Sequence, residues 1–88
     1  MNLEKINENI NGAIKLIEEI EIGNADVSEV TSLSWQCVQC LGAARALADS
    51  TSVRAGGQLL VRRLIIEELD RLVSRCQRAV GVTTGNNQ

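Results

Sequence analysis

Apolar residues recur at intervals of three and four positions in three separate stretches of the chain, which is the periodicity of one face of an α-helix. In the first stretch these residues are Leu3, Ile6, Ile10, Ala13, Ile17 and Ile20. In the second they are Val30, Leu33, Cys37, Cys40, Leu41, Ala44, Leu47 and Ala48. In the third they are Val61, Ile65, Leu69, Leu72, Cys76 and Ala79. The pattern predicts three helices, at about residues 3–22, 27–48 and 53–80.

Residues that favour helix ends separate these stretches. Asn2 is suited to cap the first helix, and Gly23 follows its last apolar residue, where glycine can take the left-handed conformation that ends a helix. Asp26 and Glu29 have the spacing of a capping box at the start of the second helix. Ser52 is the predicted cap of the third helix. Because short joints make neighbouring helices reverse direction, we predict a small antiparallel three-helix bundle.

The length of 88 residues fits one domain, predicted at residues 1–80, with a flexible tail at 81–88 where the periodicity stops. The chain has no proline and a single aromatic residue, Trp35, so aliphatic side chains must supply nearly all of the core. No apolar run approaches the roughly 18 residues of a membrane span, and the N-terminus lacks the pattern of a signal peptide. We therefore expect a cytoplasmic protein with no membrane-spanning segment.

The residue set offers little for catalysis or metal binding. The chain has no histidine and no tyrosine, and it lacks the glycine-rich and nucleophile motifs of phosphate-binding and acyl-transfer sites. Cys37 and Cys40 have the spacing of a metal or redox pair, but only Cys76 can join them, and a structural zinc site needs four ligands. Cysteines on the apolar face of a helix usually pack in the core. We predict no enzymatic activity, no cofactor and no metal site.

The net charge of −2 hides an uneven distribution. Residues 1–29 contain seven acidic and two basic residues, a balance of −5, whereas residues 53–80 contain six arginines and three acidic residues, a balance of +3. The acidic first helix and the basic third helix are predicted to be complementary, either as neighbours within one chain or across two copies. The overall balance is too acidic to favour a dedicated nucleic-acid-binding protein.

Three arginines, Arg71, Arg75 and Arg78, follow helical spacing along the third helix and form what we call the arginine ridge. Glu67 lies one turn before Arg71 and is predicted to pair with it. Two interpretations are open. The ridge is either paired and solvated within the chain, or it contacts phosphate groups or an acidic protein surface.

Two leucines and one arginine depart from the pattern of the third helix. Leu60 and Leu64 fall near its polar side, so a second surface is expected to cover them. Arg62 falls inside the apolar arc. Its stem either lies over the core with the guanidinium at the rim, or it pairs with a carboxylate on another chain.

Trp35 projects from the second helix almost opposite the main apolar face of that helix. With Gln39, Gly42 and Ala46 it forms a flatter second face. Trp35 either folds back over the first or third helix, as a largely buried tryptophan does, or stays exposed as an anchor for a partner.

These departures from the helical pattern favour interaction over chemistry. We expect a non-enzymatic protein-interaction module, a homodimer that regulates or inhibits a larger partner protein by covering one of its surfaces. Its small size also suits a phage or mobile-element protein. Two alternatives are a nucleic-acid-associated regulator that uses the arginine ridge and a structural subunit of a larger assembly. The predicted binding residues are Trp35, Gln39, Leu60, Arg62, Leu64, Arg71, Arg75 and Arg78.

Overall fold

The structure, a computed structural model, describes residues 2–50 and 56–83 of the chain. Its elements are α1 (Leu3–Ile22), α2 (Val27–Asp49) and α3 (Gly56–Thr83). No strand occurs in these two ranges. The predicted all-α three-helix bundle is confirmed, and the bounds of α1 are those that its apolar periodicity predicts.

The predicted caps form at both ends of α1 and at the start of α2. The Asn2 side-chain oxygen accepts a hydrogen bond from the Lys5 amide at 3.1 Å, and Asp26 Oδ1 accepts one from the Glu29 amide at 2.8 Å. Gly23 has a φ of 82°, and its amide donates back to the last turn of α1. Each of these bonds satisfies a backbone group that a helix end leaves without an intrahelical partner, which is why the chain turns at these residues.

Two helices end later than their periodicity predicts. α2 continues one residue further, to Asp49, and α3 continues to Thr83 instead of ending near residue 80. Gly81 does not end α3, because its φ is not positive, whereas the φ of Gly23 is positive. A glycine with helical backbone angles continues a helix at a cost of about 1 kcal/mol relative to alanine. Residues 81–83 of the predicted flexible tail are therefore helical.

Part of the prediction for α3 falls outside the described residues. The predicted start near Val53, its predicted cap Ser52, and residues 84–88 of the predicted tail all lie there. The described part of α3 has 28 residues against 20 in α1. At 1.5 Å per residue it is about 12 Å longer, so α1 alone cannot cover its whole length.

One apolar core joins the three helices. α2 runs antiparallel to α3, since Arg45 pairs with Asp70 while the later residue Asp49 pairs with the earlier residue Arg62. The buried residues are Ile6, Ala13, Ile17, Ile20, Val30, Cys37, Leu41, Ala44, Ala48, Leu69, Leu72, Cys76 and Ala79. All of them belong to the three apolar faces that the sequence pattern defines, because a helix buries the face on which its apolar side chains coincide.

α3 is packed unevenly along its length. Its second half buries Leu69, Leu72 and Cys76. In its first half Ile65 is only half-buried, and Val61 is 39% exposed although the periodicity places it on the same apolar face. The structure corrects the prediction for Val61, because the described helices leave the first turns of α3 without full cover.

Candidate functional site

The outer side of α2 exposes a tryptophan. Trp35 is 63% exposed, and Val27 and Val38 of the same helix are 63% and 57% exposed. With Thr31 and Gly42 they recur every three or four positions, so they form one stripe, which we call the α2 outer surface. The interpretation in which Trp35 folds back over another helix is wrong, since most of the residue faces solvent.

All of the α2 outer surface except Val27 lies in an uncharged part of the chain. No charged residue occurs between Glu29 and Arg45, a stretch that contains Trp35, Val38 and the exposed Gln39. The outer face of a helix in a bundle ordinarily carries charged residues. The centres of protein interfaces, by contrast, are depleted of charge and enriched in tryptophan. The α2 outer surface therefore has the composition of an interface centre.

Several polar side chains of α2 donate hydrogen bonds within their own helix. Thr31 Oγ1 donates to the Val27 carbonyl oxygen at 2.9 Å, and Ser34 Oγ donates to the Thr31 carbonyl oxygen at 2.9 Å. Gln36 Nε2 donates to Ser32 Oγ at 3.3 Å. A donor that already has a partner loses less when water is removed from around it. Thr31 lies on the α2 outer surface and Ser34 lies beside it, so a partner can cover this side of α2 without leaving these two hydroxyl donors unsatisfied.

The first turns of α3 expose a second apolar surface. Leu59, Leu60 and Leu64 are 57%, 55% and 53% exposed, Val61 is 39% exposed, and Leu3 of α1 is 53% exposed. We call these five residues the α3 start surface. The structure places Leu60 and Leu64 outside the core, as their position on the helix predicts.

Hollows flank the α3 start surface on both sides. One hollow, of about 690 Å³, is lined within the described residues by Leu59, Leu60, Arg62, Arg63, Ile66 and Glu67. On the side of α1, one of about 250 Å³ is lined there by Leu3, Gly57, Gln58 and Val61. Next to it, one of about 400 Å³ is lined by Leu3, Glu4, Ile6, Asn7, Ile10 and Ile65. At 100° per residue, Leu60 and Leu64 lie between these hollows and form a ridge.

Arg62 has its acidic partner in the same chain. Its guanidinium lies 3.8 Å from a carboxylate oxygen of Asp49, at the end of α2. Asp49 is also 4.0 Å from Arg45, which lies 3.2 Å from Asp70 of α3. The Arg62 side chain is 32% exposed. The geometry therefore favours the interpretation with a stem over the core and a charge at the rim, since the carboxylate that Arg62 pairs with belongs to its own chain.

Arg71 of the arginine ridge pairs with a different carboxylate from the one predicted. Its Nη1 donates to Glu68 Oε2 at 2.9 Å, three residues earlier, and not to Glu67. Spacings of three and four both bring side chains together on a helix, so the sequence alone does not decide between these glutamates. Glu67 has no ion pair within the described residues.

Arg75 connects α3 to α1. Its Nε and Nη2 donate to the two carboxylate oxygens of Glu21 at 2.8 Å and 2.7 Å. These hydrogen bonds lower the pKa of Glu21 and raise that of Arg75. Arg78 is exposed and forms no ion pair within the described residues. The arginine ridge is thus partly neutralised by its own chain.

The cysteines lie in and beside the core. Cys37 and Cys76 are buried, and Cys40 is half-buried. Cys37 Sγ lies 3.8 Å from the Ala13 carbonyl oxygen of α1. Burial, with a further contribution from Cys76, raises the pKa of the Cys37 thiol from 9.0 to about 12. A thiol in this state is a poor nucleophile and a poor metal ligand at neutral pH, because both roles require the thiolate.

The Cys37 thiol makes the stability of the fold sensitive to alkaline pH. In the folded chain it stays protonated up to about pH 12, whereas in the unfolded chain it ionises from about pH 9. The contribution of the Cys37 thiol to the free energy of unfolding is therefore present below pH 9 and is lost as the pH rises toward 12. We expect the stability difference between the wild type and Cys37→Ala to shrink by about 1–2 kcal/mol by pH 11, allowing for solvent screening. Urea denaturation of both proteins across this pH range measures the stability difference. A stability difference that does not change with pH would contradict the raised pKa of the Cys37 thiol.

Neither a metal site nor a membrane span is found in the described ranges. No group of three or more cysteine, aspartate and glutamate side chains there is arranged to hold a metal ion. None of the helices, as described, combines the length and apolar character needed to cross a bilayer.

The structure also shows surface residues that the sequence analysis did not single out. Val27 and Val38 extend the stripe of Trp35, and Leu59 adjoins Leu60. The uncharged stretch between Glu29 and Arg45 is the signal that points to Val38, whereas Val27 lies before that stretch and is indicated only by its helical spacing from Trp35. Leu59 has no comparable signal, because an apolar residue at the edge of an apolar run looks the same whether it is covered or not.

Comparison with known proteins gives no further assignment. No protein-family model, no curated protein and no solved structure matches this chain.

Proposed function

We propose that this protein is a non-enzymatic interaction module that binds a partner protein through the α2 outer surface. The observation that carries the proposal is Trp35, which is 63% exposed and lies in the stretch of α2 between Glu29 and Arg45 that contains no charged residue. Tryptophan is among the residues most enriched at the energetic centres of interfaces. Trp35 is the anchor in this proposal, Val27 and Val38 extend the apolar contact, and Gln39 supplies hydrogen bonds beside it.

The size of the expected contribution supports this role for Trp35. Truncation of an anchor residue typically costs roughly 2–4 kcal/mol of binding free energy, about 30- to 1,000-fold in affinity. An exposed valine adds about 1 kcal/mol when a partner covers it. Because the α2 outer surface carries no charge, salt has little to screen there. Binding through it is therefore expected to depend only weakly on ionic strength.

The mode of action that suits a small protein with these surfaces is occlusion. We propose that the protein regulates or inhibits a larger partner by covering a surface that another molecule would otherwise bind. We propose also that it acts as a homodimer. The α3 start surface is available for that contact and lies on a different helix from Trp35. A dimer formed there leaves the α2 outer surface of each copy to the partner.

The ion pairs of α3 weigh against the nucleic-acid alternative. Arg71 and Arg75 already bond to Glu68 and Glu21 within the chain. Phosphate binding would have to compete with those carboxylates, and only Arg78 of the ridge lacks an ion pair within the described residues. A binder of phosphate usually presents several unpaired basic side chains. The arginine ridge therefore supports the nucleic-acid-associated role less strongly than the helical spacing of its three arginines suggests.

Affinity capture from native extract of the source cells, with and without nuclease, tests the proposal. The baits are the wild type, Val38→Asp, which introduces a charge into the α2 outer surface, and Arg78→Glu, which reverses a charge on the arginine ridge. We expect a discrete partner that survives nuclease, is retained by Arg78→Glu and is lost with Val38→Asp. Circular dichroism of each bait checks that it folds.

Other outcomes of the capture support the alternatives. Partners that vanish with nuclease and with Arg78→Glu would replace the proposal with the nucleic-acid-associated role. A partner that all three baits retain would move the binding surface away from α2. A lone chain that folds poorly and is recovered only inside one stable assembly would indicate a structural subunit.

A further inference from the structure

We infer that a second copy of this chain covers the α3 start surface, through an antiparallel two-fold contact between the first turns of α3 in the two copies. The inference rests on the homodimer of the proposed function and assigns that dimer a surface and a pair of charges. In such a contact one patch meets itself, so the patch must be complementary to itself in shape and in charge. The α3 start surface supplies the shape, and Arg63 and Glu67 beside it supply the charges.

Its shape combines a ridge with hollows. Leu60 and Leu64 stand between the hollow of about 690 Å³ on one side of α3 and the two smaller hollows beside α1. Side chains that pack as knobs into holes need this alternation. With a two-fold axis near Leu64, the Leu64 side chain of one copy enters the larger hollow of the other, between Leu59 and Ile66.

Its charges are placed for the same arrangement. Arg63 and Glu67 are both exposed, lie one turn apart beside the ridge, and form no ion pair within the described residues. When a second α3 runs antiparallel about an axis level with Ile65, next to Leu64, Arg63 of each copy faces Glu67 of the other. One apolar contact thus acquires two ion pairs, formed by residues that have no ion pair within the described part of the chain.

The area of the contact indicates a dimer of moderate strength. A stable interface buries about 800 Å² per partner. That is about one-seventh of the 5795 Å² accessible surface of the chain. The five residues of the α3 start surface supply only the centre of such an area, and the stems of Arg63, Glu67 and Arg71 supply its edge. Interfaces at the small end of the range belong to weaker complexes, so we expect dissociation in the micromolar range.

Sedimentation equilibrium of the full chain tests the inference by charge exchange between copies. Arg63→Glu alone and Glu67→Arg alone each place two like-charge pairs in the dimer, and we expect each to weaken it about tenfold. An equimolar mixture of the two variants restores both ion pairs between unlike chains, so the mixture is expected to dimerise close to the wild-type level. A charge pair within one chain gives no such recovery, because each variant keeps its own like charges.

Substitution of the leucines provides the second arm of the same experiment. Leu60→Asp combined with Leu64→Asp is expected to weaken the dimer at least a hundredfold, whereas Val38→Asp on α2 leaves it unchanged. A wild-type chain that stays monomeric up to near-millimolar concentration would overturn both the homodimer and its surface. A dimer that survives the leucine double substitution would overturn only the surface assigned here.

Discussion

Replacement of Ile17 by alanine is expected to lower the free energy of unfolding by about 3–4 kcal/mol. Ile17 lies in the second half of α1 and has no solvent exposure, so the substitution removes buried methyl and methylene groups and leaves a cavity that the helices cannot fully close. A domain of 88 residues has roughly 4–13 kcal/mol of stability in total. The expected loss is thus a large fraction of the total stability of the domain. Urea denaturation followed by far-ultraviolet circular dichroism measures it, and Trp35, being exposed, is a poor probe.

Ile22→Ala is the matched control for this prediction. Ile22 belongs to the same helix but is 66% exposed, so removing the same atoms should change the free energy of unfolding by no more than about 0.5 kcal/mol. Equal losses for Ile17→Ala and Ile22→Ala would mean that the face of α1 assigned to the core is not the buried one.

Trp35→Ala, in contrast to Ile17→Ala, is expected to weaken partner binding and to leave the stability of the fold nearly unchanged. The affinity for the partner should fall about a hundredfold, since an anchor residue is lost, while the free energy of unfolding should change by no more than about 0.5 kcal/mol. The reason is that Trp35 is 63% exposed and contributes little to the core. Isothermal titration with the purified partner and urea denaturation of the same two proteins give the two quantities.

The conservative variant Trp35→Phe separates an apolar anchor from a general disturbance of α2. A phenylalanine keeps much of the apolar area, so it should retain more affinity than alanine does. Unchanged affinity in Trp35→Ala would exclude Trp35 as the anchor. A loss of affinity that accompanies a large loss of stability would assign Trp35 a structural role instead.

The sequence predicts the helices well because their signals are local. Asn2, Gly23 and Asp26 act on backbone groups a few residues away, and the structure confirms all three. The same reasoning is less accurate at the end of α3, where Gly81 continues the helix. Both conformations are open to a glycine, and packing decides between them.

Burial is harder to predict, because it depends on what lies opposite each face. Val61 shares the periodicity of Leu69, yet it is exposed while Leu69 is buried. The pattern along one helix is the same in both cases. The difference is how far the neighbouring helices extend, which is a property of the assembled bundle. For the same reason, the sequence left open whether Trp35 is buried, and the structure shows that it is not.

The charges show the same limit. The acidic character of α1 and the basic character of α3 predict complementarity, but not whether it acts within one chain or between two copies. The bidentate pair of Glu21 with Arg75 shows that part of it acts within the chain. A contact between copies is proposed instead for Arg63 and Glu67, which both belong to α3 and form no ion pair within the described residues.

Site-specific photo-cross-linking from the α2 outer surface tests the central claim most directly. A photoreactive residue placed at the exposed Gln39, one turn from Trp35, is compared with the same residue at the exposed Lys15 of α1. The account predicts that position 39 gives a discrete adduct with another protein in native extract, that position 15 does not, and that Trp35→Ala removes the adduct. An adduct from position 15 alone, or one from position 39 that persists in Trp35→Ala, would contradict the claim that α2 binds the partner.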